Sequence, residues 1–92
     1  MQRRSFHVTG RVQGVGFRWF TLQAARRCQV VGWVGNRRDG SVHGEAQGSA
    51  EALSDLVEEL RRGPGFSRVD DVEVQKLPVR GSSEAENSFE IR

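Results

Sequence analysis

The chain has 92 residues, enough for one hydrophobic core and too few for a separate cofactor domain, so a single domain spanning 1–92 is expected. Its 14 basic and 12 acidic residues leave a net charge of +2, but they are interspersed rather than gathered into the basic stripe that nucleic-acid binding uses. A lone cysteine, Cys28, excludes an internal disulfide and a thiolate metal cluster, and no apolar run follows the arginines near the N-terminus to make a leader or membrane span; a cytoplasmic protein without membrane association is expected.

Phe6, Val8, Gly10 and Val12 alternate with His7, Thr9 and Arg11, the period-2 pattern of a strand with one buried face. From Phe17 to Cys28 the apolar residues Phe17, Phe20, Ala24 and Cys28 recur at spacings of three or four, which predicts a one-sided helix. Val30 to Gly35 is a short β-rich run, and after Asn36 an Asp39-Gly40 turn leads to Val42, Gly44 and Ala46, predicting a hairpin. Ser49 is placed to cap a second helix with Leu53, Leu56, Val57 and Leu60 along one face, and Gly63-Pro64 stops it. Phe66 to Leu77 predicts a fourth strand through Val69, Val72 and Val74, Ser82 to Asn87 reads as a polar loop, and Phe89 and Ile91 predict a short fifth edge strand. The order βαββαβ points to an α+β fold, a ferredoxin-like split βαβ sandwich whose antiparallel sheet carries both helices on one face.

Between the first strand and the first helix lie Gln13-Gly14-Val15-Gly16. Two glycines permit the dihedrals that turn successive amide N–H groups into one concavity, and the helix behind adds its free N–H groups and the positive end of its dipole. Arg18 falls in the first helical turn, where a cation opposes the dipole unless an anion lies between them. The loop matches neither GxGxxG nor GxxxxGK followed by Ser or Thr, so a nucleotide is not the default ligand. Glycine spacing alone does not separate an anion site from a ligand-free strand-to-helix turn. The topology adds a second group, because strands joined by a helical crossover run parallel and finish at one end of the sheet, here about 10 Å apart with the third strand between them. Arg18 and Asn36 then share an edge, where Asn36, on its own a good turn residue, has the donor and acceptor to hold a water.

The stretches GRVQGVGFR (10–18), GWVGN (32–36), DGSVHGEAQG (39–48), GPGFSRVDDVEV (63–74) and FEIR (89–92) together resemble the acylphosphatase family, in order and over nearly the whole chain. The resemblance implies a metal-independent hydrolase, without cofactor, that splits the carboxyl-phosphate anhydride of acyl phosphates into a carboxylate and inorganic phosphate. It implies that Arg18 binds the phosphate, that the amides of Gln13, Gly14, Val15, Gly16 and Phe17 cradle its oxygens, and that Asn36 positions the attacking water. Two positions depart from the family pattern: Gly35, where relatives often carry a basic residue, and Arg37, where some carry a hydroxyl residue. They leave open which group orients Asn36, with Ser41 across the hairpin a candidate, and whether Arg37 adds a phosphate contact. The expected partners are small molecules, an acyl phosphate and inorganic phosphate, acting on a monomer.

His7 and His43 fall on strand positions facing away from the inferred core with no further ligand at metal spacing, so no metal site is expected. Trp19, in the first helix, and Trp33, in a buried-looking strand, are read as core or subsite packing. Adjacent Asp70 and Asp71 point to opposite strand faces and make no carboxylate pair. The alternative is a non-catalytic ferredoxin-like module that binds nucleic acid, although the sequence lacks the aromatic-rich strand motif of such domains. A second alternative, a domain handling acyl or carbamoyl phosphate within a larger maturation enzyme, sits less well with a 92-residue chain that has its own start Met.

Overall fold

A computed structural model describes all 92 residues. The first strand, β1 (Gln2–Arg11), buries Phe6 and Val8 toward the helices, as its alternation predicts. Then come α1 (Phe17–Cys28), β2 (Val31–Asn36), β3 (Val42–Gly48), α2 (Ala50–Arg62), β4 (Arg68–Leu77) and β5 (Phe89–Ile91). The sheet runs β4-β1-β3-β2-β5, with β1 antiparallel to both β3 and β4 and β2 antiparallel to β3. Strands β1 and β2 are therefore parallel and one strand apart, and their C-terminal ends lie on one edge.

Neighbours among the first four strands are antiparallel, as expected, but β5 pairs parallel with β2, Gly32 opposite Phe89 and Val34 opposite Ile91, so the sheet is mixed. The chain dictates this direction. Leu77 ends β4 opposite Arg3, at the end of the sheet away from Arg11, and residues 78–88 cross the open face to start β5 at that same end on the other edge.

The two helices start differently. In α2 the Ser49 hydroxyl accepts the Ala52 N–H at 3.0 Å, and Glu51 sits in the first turn. Helix α1 starts from Gly16 in a left-handed conformation, with no side-chain cap and no acid in its first turn. Both pack on the sheet through one cluster of 16 buried hydrophobic residues reaching from Phe6 to Phe89. Each fully buried Val, Leu or Phe of that cluster contributes roughly 1.5–3 kcal/mol over its exposed state. Cys28 packs half-buried against the cluster; burial, with Asp55 and Glu59 adding, pushes its thiol pKa up and keeps it protonated.

Two expectations are corrected. Phe66 is outside β4 and 86% exposed, because Ser67 donates both its N–H and its hydroxyl to the Pro64 carbonyl and closes a turn with Phe66 near its apex. Trp33 lies on the open face of the sheet, half-buried, edge-on to His43 with ring centres 4.9 Å apart and with the Arg92 guanidinium 5.1 Å from its own centre. At Gly10 the β1–β4 register shifts, leaving Asp70 as an extra residue, and Gly10 adopts φ 125 with the Arg68 carbonyl where a Cβ would sit. Such a bulge bends the strand just before the glycine loop.

The open face holds an arginine that polarity alone would place in water. Arg3 is 1% exposed; its Nε donates to Glu45 at 2.9 Å, and its two terminal nitrogens donate to Glu86 at 3.1 and 3.2 Å. Residues 78–88 supply Glu86 and are pinned by Gln47, whose carboxamide accepts from the Arg80 N–H at 2.9 Å and donates to the Arg80 carbonyl at 3.0 Å. Burial alone would raise the Glu86 carboxyl pKa, but the Arg3 hydrogen bond, a backbone hydrogen bond and the charges of Arg3 and Arg80 outweigh it and hold it below its usual value. Breaking a buried pair leaves a desolvated charge, so Arg3→Met should lower unfolding free energy by about 3 kcal/mol in urea titrations at pH 7. A carboxyl with a depressed folded pKa stabilises fully above its unfolded value, near ~4.3, and the gain fades as pH falls through the folded value. The stability gap between the native chain and Glu86→Gln should therefore be widest at neutral pH and close below about pH 4.

Candidate active site

Where β1 ends, the loop 12–16 bends so that Gly14 (φ 72) and Gly16 (φ 78) take left-handed conformations, with open space where side chains would project. No backbone or side-chain acceptor of the chain takes the N–H groups of residues 13–18; the first closed helical bond is Phe20 N–H to the Gly16 carbonyl at 2.9 Å. An uncapped helix end preceded by two left-handed glycines is a concentration of partial positive charge, and Arg18 adds a full one.

This loop opens on a cleft of about 240 Å³ lined by Gln13, Gly14, Gly16, Phe17, Arg18 and Asn36, together with Val12, Trp19 and Ile91. Arg18 and Asn36 are both exposed at its rim. Val15 is the exception among the expected loop residues, because its side chain turns inward and packs on the core.

The loop is fastened to the hairpin that carries Asn36. The Gln13 carboxamide donates to the Arg37 carbonyl at 2.7 Å and to the Ser41 carbonyl at 2.9 Å. Across the turn, the Arg37 N–H donates to the Ser41 carbonyl at 2.9 Å and the Gly40 N–H to the Arg37 carbonyl at 3.2 Å, with Gly40 at φ 92. Asp39 accepts both the N–H and the hydroxyl of Ser41, at 2.9 and 2.5 Å, and these two bonds hold its carboxyl below the usual pKa. The Ser41 proton being committed to a carboxylate that only accepts, its oxygen takes the Nε2–H of His7 at 2.8 Å.

Ser41 therefore does not orient Asn36 through its hydroxyl. It is buried, and that hydroxyl joins the hairpin to β1 instead. Nor does Arg37 reach toward the cleft: its side chain lines a hollow on the open sheet face, beside His7, His43 and Glu73. Desolvation there, with Arg37 and His7 beside it, lowers the His43 pKa, so His43 is neutral at pH 7. At Gly35 a Cβ would lie 3.1 Å from the Arg92 carbonyl oxygen, so a side chain there requires the last residue to shift by a few tenths of an ångström.

Two contributions escaped sequence reasoning. The Gln13 side chain acts as a tether, and nothing in the sequence marks its two carbonyl acceptors. Ile91 reaches the cleft because β5 runs parallel to β2, which an alternating Phe89-Ile91 pair does not specify.

A sequence model of the acylphosphatase family matches residues 4–91. The acylphosphatase of Bifidobacterium longum is 51% identical over 90 residues, covering 98% of this chain and 91% of the relative. The crystal structure of the Bacillus subtilis acylphosphatase superposes with a TM-score of 0.93 at 39% identity, covering 100% of this chain and 99% of that one. HypF of T. kodakarensis contains the same fold in 12% of its length, at TM-score 0.83 and 29% identity. With the family model spanning nearly every residue and full-length relatives half identical, the chain belongs to the acylphosphatase family.

Proposed function

We propose that the cleft at the start of α1 binds the phosphoryl group of an acyl phosphate and delivers a water to it. One observation carries this reading: the uncapped helix end, with its N–H groups free of protein acceptors, shares a cleft with Arg18 and Asn36. In this reading the amides of Gln13, Gly14, Val15, Gly16 and Phe17 and the forked donor of Arg18 hold the phosphate oxygens, as helix termini and guanidinium groups do elsewhere. The Asn36 carboxamide holds the water in line with the bond that breaks.

The water oxygen forms a bond to phosphorus, the bond from phosphorus to the acyl oxygen breaks, and the carboxylate leaves with the electron pair. A carboxylate is a stable leaving group, its conjugate acid having a pKa near ~4 to 5 like side-chain carboxyls, so no general acid is called for. The water proton passes to a phosphate oxygen. Preorganised amides and Arg18 stabilise charge on the transferring group, the main contribution a protein makes to phosphoryl transfer.

The same proposal takes residues 1–92 as one working domain and the monomer as the working unit, supported by a single core and a cleft built wholly from one chain. It places the activity in the cytoplasm, where a lone cysteine needs no oxidising partner; no helix is long and apolar enough to cross a membrane. Nucleic acid is left out, because residues 78–88 cross the open face and Arg92 already covers Trp33 there.

Phosphate release from acetyl phosphate and benzoyl phosphate, with and without chelator, tests the reading: equal rates are expected, and a rate abolished by chelator would overturn it. Arg18→Ala should lower kcat/KM by about 10²–10³-fold or more and weaken inhibition by inorganic phosphate. Asn36→Ala should lower kcat by roughly 10²-fold while leaving phosphate inhibition within a few-fold of native, because it removes an interaction with the water alone. Gln13→Met, which deletes the tether but keeps the volume, should lower kcat by about 10-fold with little change in thermal midpoint; an unchanged kcat would show that the hairpin holds Asn36 without it.

A further inference from the structure

The tip of the hairpin that presents Asn36 has little packing to hold it. Residues 36 to 39 are all exposed, and the side chains of Asn36, Arg37 and Arg38 make no hydrogen bond to the rest of the chain. Beyond the strand ladder, which ends at Asn36 opposite Val42, the tip is joined to the body at two places only. Gln13 bonds to the Arg37 and Ser41 carbonyls, and His7 bonds to the Ser41 hydroxyl at 2.8 Å.

The second attachment has a fixed sense. Asp39 takes the Ser41 proton, and Ser41 is 4% exposed, so the free lone pair of its oxygen is shut away from water. A buried acceptor needs a donor, and the Nε2–H of His7 is the one it has. His7 is a firm anchor for it, because it lies in the middle of β1, a strand paired on both sides, opposite His43 of β3 and Glu73 of β4. The same residue that receives this bond also accepts, on its carbonyl, the Arg37 N–H next to Asn36 at 2.9 Å. A displacement of Ser41 is therefore passed to Asn36 through one backbone hydrogen bond.

We propose that His7 is a positioning residue for the attacking water, setting through the Ser41 hydroxyl where the hairpin presents Asn36. The proposal rests on the reading of Asn36 as the group that holds the water, and adds a residue that touches neither water nor phosphate. His7 lines the hollow on the open sheet face and forms no part of the cleft wall. In-line attack tolerates little displacement of the nucleophile, so losing one of two attachments is read in turnover. The phosphate-holding amides and Arg18 lie in the loop and in α1, outside the hairpin, and their affinity for phosphate is kept.

The experiment measures kcat with acetyl phosphate, inhibition by inorganic phosphate and the thermal midpoint. It compares the native chain, His7→Leu, His7→Asn, His7→Gln, Asn36→Ala and the double variant of His7→Leu with Asn36→Ala. His7→Leu should lower kcat by about 5- to 10-fold and leave phosphate inhibition within roughly 2-fold of native. His7→Gln, whose amide N–H has the reach of Nε2, should restore most of the loss. His7→Asn, as polar but one methylene short of Ser41, should match His7→Leu, and it carries the comparison if the leucine variant folds poorly. Because His7 acts through Asn36, the double variant should turn over within about 2-fold of Asn36→Ala alone. A lowered midpoint with native kcat in His7→Leu and His7→Asn overturns the proposal, as does a full 5- to 10-fold further loss in the double variant or an equal loss of phosphate affinity. A native kcat in Asn36→Ala overturns the role of Asn36 and this proposal together; that failure is read in a chain with His7 intact, so the two are told apart.

Discussion

The two hydrogen bonds donated by the Gln13 carboxamide hold together segments that sequence separates by 24 and 28 residues. A glycine loop is permissive by nature; left to itself it samples many conformations, and only a few point its amides into one concavity. Gln13 fixes the start of that loop to the Arg37 and Ser41 carbonyls, and the bulge at Gly10 fixes the direction from which the chain arrives. The hairpin receiving those bonds is itself braced by Asp39, Ser41 and His7. The result is a rigid frame around a flexible composition, made from side chain to backbone bonds rather than from bulk.

That frame accounts for the contrast between the helices. Helix α2 satisfies its N-terminal groups internally through Ser49, as a helix with a structural role does. Helix α1 begins with glycine and arginine and leaves its N–H groups facing the cleft. Capping α1 in the ordinary way would stabilise the fold locally and remove the positive end that the proposed chemistry uses, which is the usual tension between stability and a working site.

Features with a local cause were legible in the sequence. The bounds of α1, the Asp39-Gly40 turn and the Ser49 cap each depend on residues within a few positions of one another and stand where the pattern places them, although the buried face of α1 also takes in Thr21, Leu22 and Ala25 while Phe20 and Cys28 are only half-buried. The shared edge of Arg18 and Asn36 was legible too, because crossover connections fix strand direction. What was not legible depends on distant partners. Arg3 is buried by Glu86, 83 residues away, and nothing in an alternating strand distinguishes it from a solvated arginine. The Ser41 hydroxyl joins Asp39 to His7 of β1, 34 residues away, instead of reaching Asn36. Trp33 looked buried because it sits in an apolar run, yet strand parity places it on the side that residues 78–88 only partly cover.

The crossing of residues 78–88 also orders events in time. During synthesis β1, α1, β2 and β3 are available well before residue 89, and until it arrives the outer edge of β2 is an unpaired row of donors and acceptors beside Gly32 and Val34. The glycine loop and Asn36 belong to that early part, whereas the wall carrying Ile91 comes last. A nascent chain thus assembles the anion-attracting half of the cleft first. Closing the exposed sheet edge and finishing the cleft are one and the same event.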